Sequence, residues 1–544
     1  MTAVTLAPAP AAGEGGRLAG TGMLVKMWLR RDRIMLPAWI YALTALVSSS
    51  MYSFRTGYDE PGALEKFARG INDNPSTKAM YGPVLNEHTA SGVAAWQTGA
   101  TGAALVGLMC VLLVVRHSRA EEETGRLELV GAGVVGRRAP LTAALLVAAT
   151  AAGTLAVLAT AVMIAFGAPA AGAVAFGLAW FGAGMVFAGV AAVTAQVAQT
   201  SRLANGLALA VLGTGFLLRG LGDVGSAHWL AWLSPIGWAQ RVRPYADEQW
   251  AALALPLVAF ALLAAAAYAL IERRDLGAGI LAPGPGPSRA APSLRTPLAL
   301  AWRLQRGSLV GWSAGFLVYG LAIGGIADGV SDLVGDSDST LKSLRELGRQ
   351  DDIVDAFLST AMGLMALLTA AYAVQGVLRL RAEEAGQRLE PVLATGVGRL
   401  RWAVSQLAVT VAGTVVMLAL TGLAVGSAHG LRSGDLGGQL PRVFGAALAQ
   451  LPAVWVVAGV TVLLFGLLPR AAQAGWGVLA VCLMLGQMGP VLKLPQPVMD
   501  VSPFTHTPNV PGGTFSPLPL VSLTAVALAA SAAGLLAFRR RDIG

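Results

Sequence analysis

The residues whose types and spacing could do chemistry lie in two polar segments of similar sequence. Residues 119–137 read RAEEETGRLELVGAGVVGR, and residues 381–399 read RAEEAGQRLEPVLATGVGR. In a helix, Arg119, Glu122 and Arg126 would share one face, because they are spaced three and four residues apart. Glu122 and Arg126 would also form an i,i+4 ion pair, as would their counterparts in the second segment. The spacing therefore predicts a short charged helix in each segment.

Each segment has two interpretations. It is either a solvated, self-paired helix between two apolar runs or a docking surface for a cytoplasmic partner protein. The docking interpretation is favoured because these segments are the strongest internal match in the chain, and because glutamates do nothing to retain a loop in the cytoplasm. The residues that it assigns to docking are Arg119, Glu121, Glu122, Arg126, Glu128, Arg381, Glu383, Glu384, Arg388 and Glu390.

Other kinds of site have little support in the sequence. The five histidines are scattered and give no metal-ligand spacing. Cys110 and Cys482 lie within apolar runs, which excludes a disulfide framework. The chain also lacks the G-x-x-x-x-G-K-S/T loop that binds nucleotide phosphates. We therefore expect no catalytic residue, cofactor or metal in this chain, so that ATP and Mg²⁺, if used, would be held by a partner subunit.

The composition predicts an all-α polytopic membrane protein. Of 544 residues, 55% are hydrophobic and 13% are charged, whereas soluble proteins have about 25% charged residues. The apolar runs are unbroken, which indicates helices, since barrel strands would alternate. With about 20 residues for each crossing, we expect about twelve spans: 34–54, 92–115, 140–166, 171–198, 203–218, 250–271, 308–327, 358–378, 402–426, 443–468, 475–492 and 518–538.

The distribution of charge predicts the orientation. With both termini in the cytoplasm, the segments on that side hold 26 of the 39 lysines and arginines but 12 of the 30 acidic residues. This agrees with the retention of positive charge in the cytoplasm. The predicted outer loop 328–357 is acidic. The net charge of +9 is thus explained by topology, and we expect a lipid bilayer rather than a nucleic acid as partner.

The chain also looks duplicated. The two polar segments share 12 of 19 residues, and RRDLG at 273–277 recurs as RRDIG at 540–544. Because six spans bring each half back to the cytoplasm, the halves are expected to be parallel repeats. The predicted domains are a cytoplasmic segment with an interfacial helix at 1–33, a six-helix module at 34–274, a Pro/Gly-rich linker with a second interfacial helix at 275–307, and a second module at 308–544. Short polar helices are expected at 62–70 and 339–348.

The predicted spans contain no charged residue. This matters because ion-coupled carriers use ionisable groups at membrane depth. Neutral polar side chains remain, and each either forms a hydrogen bond between helices or lines a transport pathway. The candidates for a pathway are Gln97, Thr101, Gln196, Gln375 and Gln406.

Two six-helix modules, a basic segment before each, and an RxEExGRLE-like loop after the second span resemble a type-2 ATP-binding-cassette (ABC) transporter permease. The resemblance is closest to the fused, twelve-span permeases of high-GC bacteria that are described as exporters of polyketide antibiotics. It implies two copies of a cytoplasmic ABC ATPase docked on segments 116–139 and 379–401. It also implies export of an amphiphilic small molecule across the bacterial cytoplasmic (inner) membrane.

Two other classes stay open. A twelve-span, ion-coupled secondary carrier would also consist of two six-helix halves and would have similar basic loops. A membrane-embedded enzyme would need clustered acids near the membrane surface, and the acids of 328–357 have no recognisable ligand spacing.

Overall fold

The structure, a computed structural model, is helical throughout the part of the chain that it describes. It describes residues 14–58, 62–73, 75–131, 135–224, 227–275, 277–280, 288–327, 353–488, 495–513 and 516–542. The chain divides into two compact units, residues 1–286 and 287–544. This division falls within the segment 275–307 that was predicted as a linker.

Unit 1 is built from long apolar helices joined by short polar ones. A single turn at Glu14–Arg17 precedes its main elements. The helices are α1 (Thr21–Arg31), α2 (Met35–Thr56), α3 (Ala63–Asp73), α4 (Pro75–Tyr81), α5 (Ala90–His117), α6 (Arg119–Glu123), α7 (Arg126–Gly131), α8 (Ala139–Ala165), α9 (Ala170–Val197), α10 (Ser201–Val224), α11 (Pro235–Arg241) and α12 (Ala254–Glu272). The polar helix expected at 62–70 is confirmed as α3.

Unit 2 repeats this order of long and short helices. They are α13 (Pro297–Ala327), α14 (Ile353–Ala385), α15 (Leu389–Ala394), α16 (Arg399–Ser433), α17 (Leu436–Leu448), α18 (Leu451–Leu467), α19 (Ala474–Met488), α20 (Gln496–Met499) and α21 (Pro517–Arg540). Most of the acidic loop 328–357, including the polar helix expected at 339–348, lies outside the described residues.

The long helices confirm a polytopic membrane protein. Among the described residues, ten helices are long and apolar enough to cross a membrane, and the bent pair α1–α2 would make eleven. The eleventh predicted span is the shorter helix α19. In α12 and α21 the apolar side chains face outward, with Leu257 68% and Leu518 74% exposed. Helices that are apolar all round and mostly exposed need lipid as their solvent.

Small residues bring these helices together. A Cβ placed on Gly102 of α5 would lie 2.0 Å from the Trp180 ring of α9. In unit 2, a Cβ on Gly466 of α18 would lie 2.0 Å from the carbonyl oxygen of Gly534 in α21. Such contacts are possible only without side chains, which is how membrane helices pack when lipid removes the hydrophobic drive between them.

The two basic segments before the first span of each unit adopt different structures. α1 is a separate helix, and the chain bends by 68° between α1 and α2. Its counterpart was predicted as a second interfacial helix, but residues 297–307 instead form the first part of the continuous helix α13. At the bend in unit 1 the side chain of Asp32 is buried, and no equivalent carboxylate occurs in unit 2.

Two spans differ from their predicted form. α10 continues to Val224, six residues beyond the predicted end at 218, and so includes the buried Arg219 paired with Asp223 at 3.3 Å. The predicted span 443–468 is confirmed as one membrane-crossing stretch, Leu436–Leu467, which begins seven residues earlier than predicted and comprises α17 and α18. Pro452 lies in the first turn of α18, beside the short turn between the two helices, where its missing N–H leaves one backbone hydrogen bond unmade.

Candidate functional site

The first polar segment folds into two short helices rather than one. α6 ends at Glu123, and Gly125 has a left-handed backbone with φ of 71°. In the second segment the equivalent residue, Gln387, is also left-handed, with φ of 54°. The predicted i,i+4 pairs are therefore wrong, because the helix that carries each glutamate ends before the arginine four residues later. Of the face predicted for Arg119, Glu122 and Arg126, the first two residues do pair at i,i+3 within α6, whereas Arg126 lies beyond the break.

Glu122 lies instead at the centre of a buried ionic network in unit 1. Its Oε1 accepts a hydrogen bond of 2.6 Å from Arg274, and its Oε2 accepts bonds of 2.8 Å from Arg274 and 2.5 Å from Arg119. Arg274 also donates through Nε to Gln196 Oε1 at 2.7 Å. Arg137 donates to the carbonyl oxygen of Arg274 at 2.5 Å.

The remaining donors of this network are satisfied by backbone. Arg119, only 1% exposed, donates to the carbonyl oxygens of Gln199 at 2.9 Å and Ala278 at 3.1 Å. Buried charges are stable only when they are paired and fully hydrogen-bonded. The network meets that condition, and it joins the ends of α5, α9 and α12 to the start of α8.

Unit 2 repeats the network at equivalent positions. Arg541 donates to both oxygens of Glu384, at 2.7 and 2.8 Å, and Arg381 lies 3.3 Å from the same carboxylate. Arg399 donates to the carbonyl oxygen of Arg541 at 2.8 Å. We call the two sets, Arg119–Glu122–Arg137–Arg274 and Arg381–Glu384–Arg399–Arg541, the loop anchors.

The two loop anchors are not identical. The side chain of Arg541 is 17% exposed, against 4% for Arg274. Where Arg274 contacts the amide of Gln196, Arg541 lies over the ring of Phe465, 5.1 Å from its centroid. The arginines of the unit 1 anchor are therefore more deeply buried and have more polar contacts than those of unit 2, whereas the carboxylate of Glu384 is 2% exposed and that of Glu122 is 7% exposed.

The glutamate that precedes the central one in each motif makes an ion pair with an arginine that is exposed to solvent. Glu121 pairs with Arg31 of α1 and, at 3.8 Å, with Arg126. Glu383 pairs with Arg388 through two hydrogen bonds, of 3.0 and 3.2 Å. The hydrogen bond to Glu383 and the negative charge of its carboxylate raise the pKa of Arg388, so this arginine stays protonated. Glu121 thus ties the loop of unit 1 to α1, and no such contact occurs among the described residues of unit 2.

Only some of the predicted docking residues face solvent. Arg126, Glu128, Arg388 and Glu390 are exposed. The other six are buried or half-buried and held by partners within their own unit, so their side chains are committed to positioning the loops. Arg126 and Arg388 also pair with Glu121 and Glu383, but they stay exposed. Docking of a partner protein stays a prediction, and its accessible charges are the four exposed residues, which we call the loop surface.

The predicted pathway residues do not form one polar line. Gln97 accepts a hydrogen bond of 2.6 Å from Ser50, and Thr101 donates to the carbonyl oxygen of Gln97 at 3.2 Å. Gln196 belongs to the loop anchor of unit 1. Gln375 is exposed and accepts from Trp312 at 3.2 Å.

Gln406 belongs to a second buried polar contact that sequence reasoning missed. Gln305 of α13 donates to Gln406 Oε1 at 2.8 Å, and Thr410 donates to Gln305 Oε1 at 3.2 Å. Gln305 directly precedes Arg306 in its basic segment, as Asp32 directly precedes Arg33 in unit 1. There Asp32 lies 2.6 Å from His117 Nε2 and 3.1 Å from Arg116.

Sequence reasoning also missed the partners of the two key glutamates. Arg274 and Arg541 lie in the repeated RRDLG and RRDIG segments, which in the sequence indicate only the duplication. One signal could have revealed this pairing. The polar segments supply glutamates, the RRDLG and RRDIG segments supply arginines, and both are expected on the same side of the membrane. Among the described residues there is no group of three or more metal-ligating side chains.

Comparison with known proteins identifies the family to which the chain belongs. A family model described as "Multidrug efflux system permease Rv1217c, C-terminal domain" matches residues 25–270 and 294–539. These two stretches have equal length and agree with the duplication read from the sequence. The chain is 43% identical to the multidrug efflux system permease protein Rv1217c of Mycobacterium tuberculosis (strain ATCC 25618 / H37Rv) over 537 residues, 97% of this chain and 96% of that protein. The chain therefore belongs to the family of Rv1217c-like multidrug efflux system permeases.

Proposed function

We propose that this chain is the twelve-span permease subunit of an ABC exporter in the bacterial cytoplasmic (inner) membrane. Two copies of a separate ATPase supply the energy, and the cargo is an amphiphilic small molecule. The name of the relative supports efflux. The ATPase partner is supported by the duplicated loop anchors and by the resemblance to type-2 permeases.

The single observation that carries this proposal is the repeated loop anchor. In each unit, a short helical loop is held by buried ion pairs to the ends of several long helices. A force applied to the loop surface is therefore passed to those helices instead of being absorbed by a flexible loop. One such input in each unit matches a pair of ATPase subunits that close together when they bind ATP.

The partner contact is tested with charge reversals on the loop surface. We expect Arg126→Glu combined with Arg388→Glu to abolish co-purification with a co-expressed ATPase subunit from the same genome, and to remove stimulation of its ATP hydrolysis in lipid. Arg289→Glu with Arg539→Glu is the matched control, because both residues are exposed, lie on the predicted cytoplasmic side and make the same change in charge. An ATPase that stays bound to the first variant would refute docking at these loops.

A second candidate is an ion-coupled carrier, and one observation favours it. The predicted spans were free of charge, but α10 contains Arg219, fully buried, beside Asp223. Proton-coupled carriers use buried ionisable groups of this kind, and this pair lies in the last turns of α10, at the predicted outer end of the span. Transport by proteoliposomes of the chain alone, driven by a proton gradient without ATPase, would establish this candidate and displace the first.

A further inference from the structure

Unit 1 contains a cavity of about 570 Å³, open on one side, at its predicted outer end. It lies among α4, the first part of α5, α9, the end of α10 and α11, and all its lining residues belong to unit 1. The volume falls within the ~300–1,000 Å³ typical of small-molecule sites. Its walls are rich in aromatic rings, contributed by Tyr81, Trp96, Phe176, Trp180 and Trp232.

The cavity has more positive than negative charge. Three cations line it: Lys78, Arg241 and Arg243. The one carboxylate in the lining, Asp223, is already paired with Arg219. Within the described residues, the side chains of Lys78 and Arg243 make no hydrogen bond or ion pair. These positive charges are therefore free to bind an anion.

The third cation is held against an aromatic wall. The guanidinium of Arg241 lies over the ring of Trp232, 5.0 Å from its centroid. This cation–π contact orients the guanidinium without consuming its hydrogen-bond donors. An anion entering the cavity would thus meet a positioned donor group beside an apolar surface.

The loop that carries Arg243 is held in an unfavourable backbone conformation. Arg243, Tyr245 and Asp247 all have positive φ, of 52°, 65° and 54°. The conformation is fixed from outside, because Asn86 donates to the carbonyl oxygen of Tyr245 at 2.5 Å and Gly172 leaves room for the Tyr245 ring. Non-glycine residues held in this region cluster at ligand-binding sites, since surrounding structure must enforce them.

The surface beside the cavity is suited to contact with a membrane. Trp229 and Trp232 are 63% and 51% exposed in the turn before α11. Exposed tryptophans are typical of the boundary between lipid and water. Since Trp232 also lines the cavity, an amphiphile at that boundary can place its apolar part directly against the cavity wall.

We propose that this cavity binds an amphiphile with an apolar or aromatic body and an anionic head group such as a carboxylate, sulfate or phosphate. The aromatic rings contact the body, and Lys78, Arg241 and Arg243 bind the head group. Its role as a site for exported cargo rests on the proposed efflux function, but the chemistry of its ligand does not. Two sources share this chemistry: an exported small molecule and an anionic lipid.

The test uses photo-labelling of the purified chain in phosphatidylcholine nanodiscs, with no ATPase present. The probes are a diazirine-bearing C16 fatty acid and its methyl ester, which differ in the anionic group. We expect the acid to label peptides from residues 78–100 and 228–244 about tenfold more than the ester, the size of effect for one charge-assisted hydrogen bond. Equal labelling by acid and ester would overturn the proposal.

Variants locate the site. Lys78→Gln with Arg243→Asn should reduce labelling by the acid about tenfold, and asparagine tolerates the left-handed backbone at 243. Gly99→Leu should abolish labelling, because a Cβ at Gly99 meets nothing within 4 Å and extends into the cavity. Labelling by the acid that persists in both variants would also overturn the proposal.

Matched controls and a lipid arm complete the design. Arg69→Gln removes an exposed outer-side cation, and Gly213→Leu fills open space away from the cavity, so neither should change the labelling. Adding phosphatidylglycerol to the nanodiscs distinguishes the sources: suppressed labelling identifies an anionic lipid as the occupant, and unchanged labelling identifies a non-lipid amphiphile. Because no ATPase is used, a negative result here is separate from failure of the proposed ABC function.

Discussion

Neutralising the central carboxylate of each loop anchor should destabilise unit 1 more than unit 2. Glu122→Gln keeps the side-chain shape but leaves Arg119 and Arg274 without their counter-ion, where they are 1% and 4% exposed. Breaking a buried ion pair from one side costs about 3–5 kcal/mol. Glu384→Gln should cost less, about 1.5–3 kcal/mol, because Arg381 and Arg541 keep 26% and 17% exposure and so some contact with water.

The assay is thermal unfolding of the purified chain in detergent, followed by loss of the monodisperse peak. With about 2–4 °C for each kcal/mol in units of this size, Glu122→Gln should lower the apparent Tm by about 6–20 °C. Glu128→Gln is the matched control, because this glutamate is exposed, and it should shift the Tm by less than about 2 °C.

A double-mutant cycle separates this ion pair from general damage. Arg274→Gln in the Glu122→Gln background should cost less than the sum of the single changes, with a coupling of about 0.5–3 kcal/mol. Strict additivity would mean that the two side chains do not interact, and a Glu122→Gln protein as stable as Glu128→Gln would refute the buried anchor altogether.

The remaining predictions concern backbone and packing. Gln387→Gly should raise the stability by about 0.5–1 kcal/mol by relieving its left-handed backbone, whereas Gly125→Ala should lower it by about 1 kcal/mol, both read as shifts of apparent Tm. Gly102→Ala should displace the Trp180 ring and lower the Tm, since overpacking costs about 1–3 kcal/mol, with a change in tryptophan emission that Gly213→Ala does not produce. Asp32→Asn should weaken the contact with His117 and cost about 1–3 kcal/mol, measurable as faster proteolysis at the bend between α1 and α2.

The sequence was a good guide to the long helices, because each apolar run is long enough to be recognised without knowledge of its neighbours. Each of the twelve predicted spans overlaps a described helix. The ends were less predictable. α10 runs past Arg219, whose guanidinium donates to the carbonyl oxygens of Ala79 and Met80 at the end of α4, both at 2.8 Å. This long-range capping has no signature in the local sequence.

The candidate site was found as a segment but misread in its contacts. Spacing alone paired Glu122 with Arg126, four residues later, whereas the structure pairs Glu122 with Arg274, 152 residues away. The helix break at Gly125 could be suspected from its glycine, but the same break at Gln387 could not. Sequence periodicity reports neighbours on one helix, and it cannot say which distant charge will be folded against them.

The unbroken helix α13 has a mechanical consequence. At 31 residues it is about 46 Å long, longer than the ~30 Å apolar core of a bilayer, so that about 16 Å of it projects beyond that core. A rigid rod of this kind acts as a lever: sideways displacement of its projecting end tilts the part within the membrane. In unit 1, the 68° bend between α1 and α2 acts as a hinge, so that α1 can shift without tilting α2. The same force at the membrane surface should therefore tilt α13 of unit 2, whereas in unit 1 it should shift α1 and leave α2 in place. The first spans of the two units would then move by different amounts.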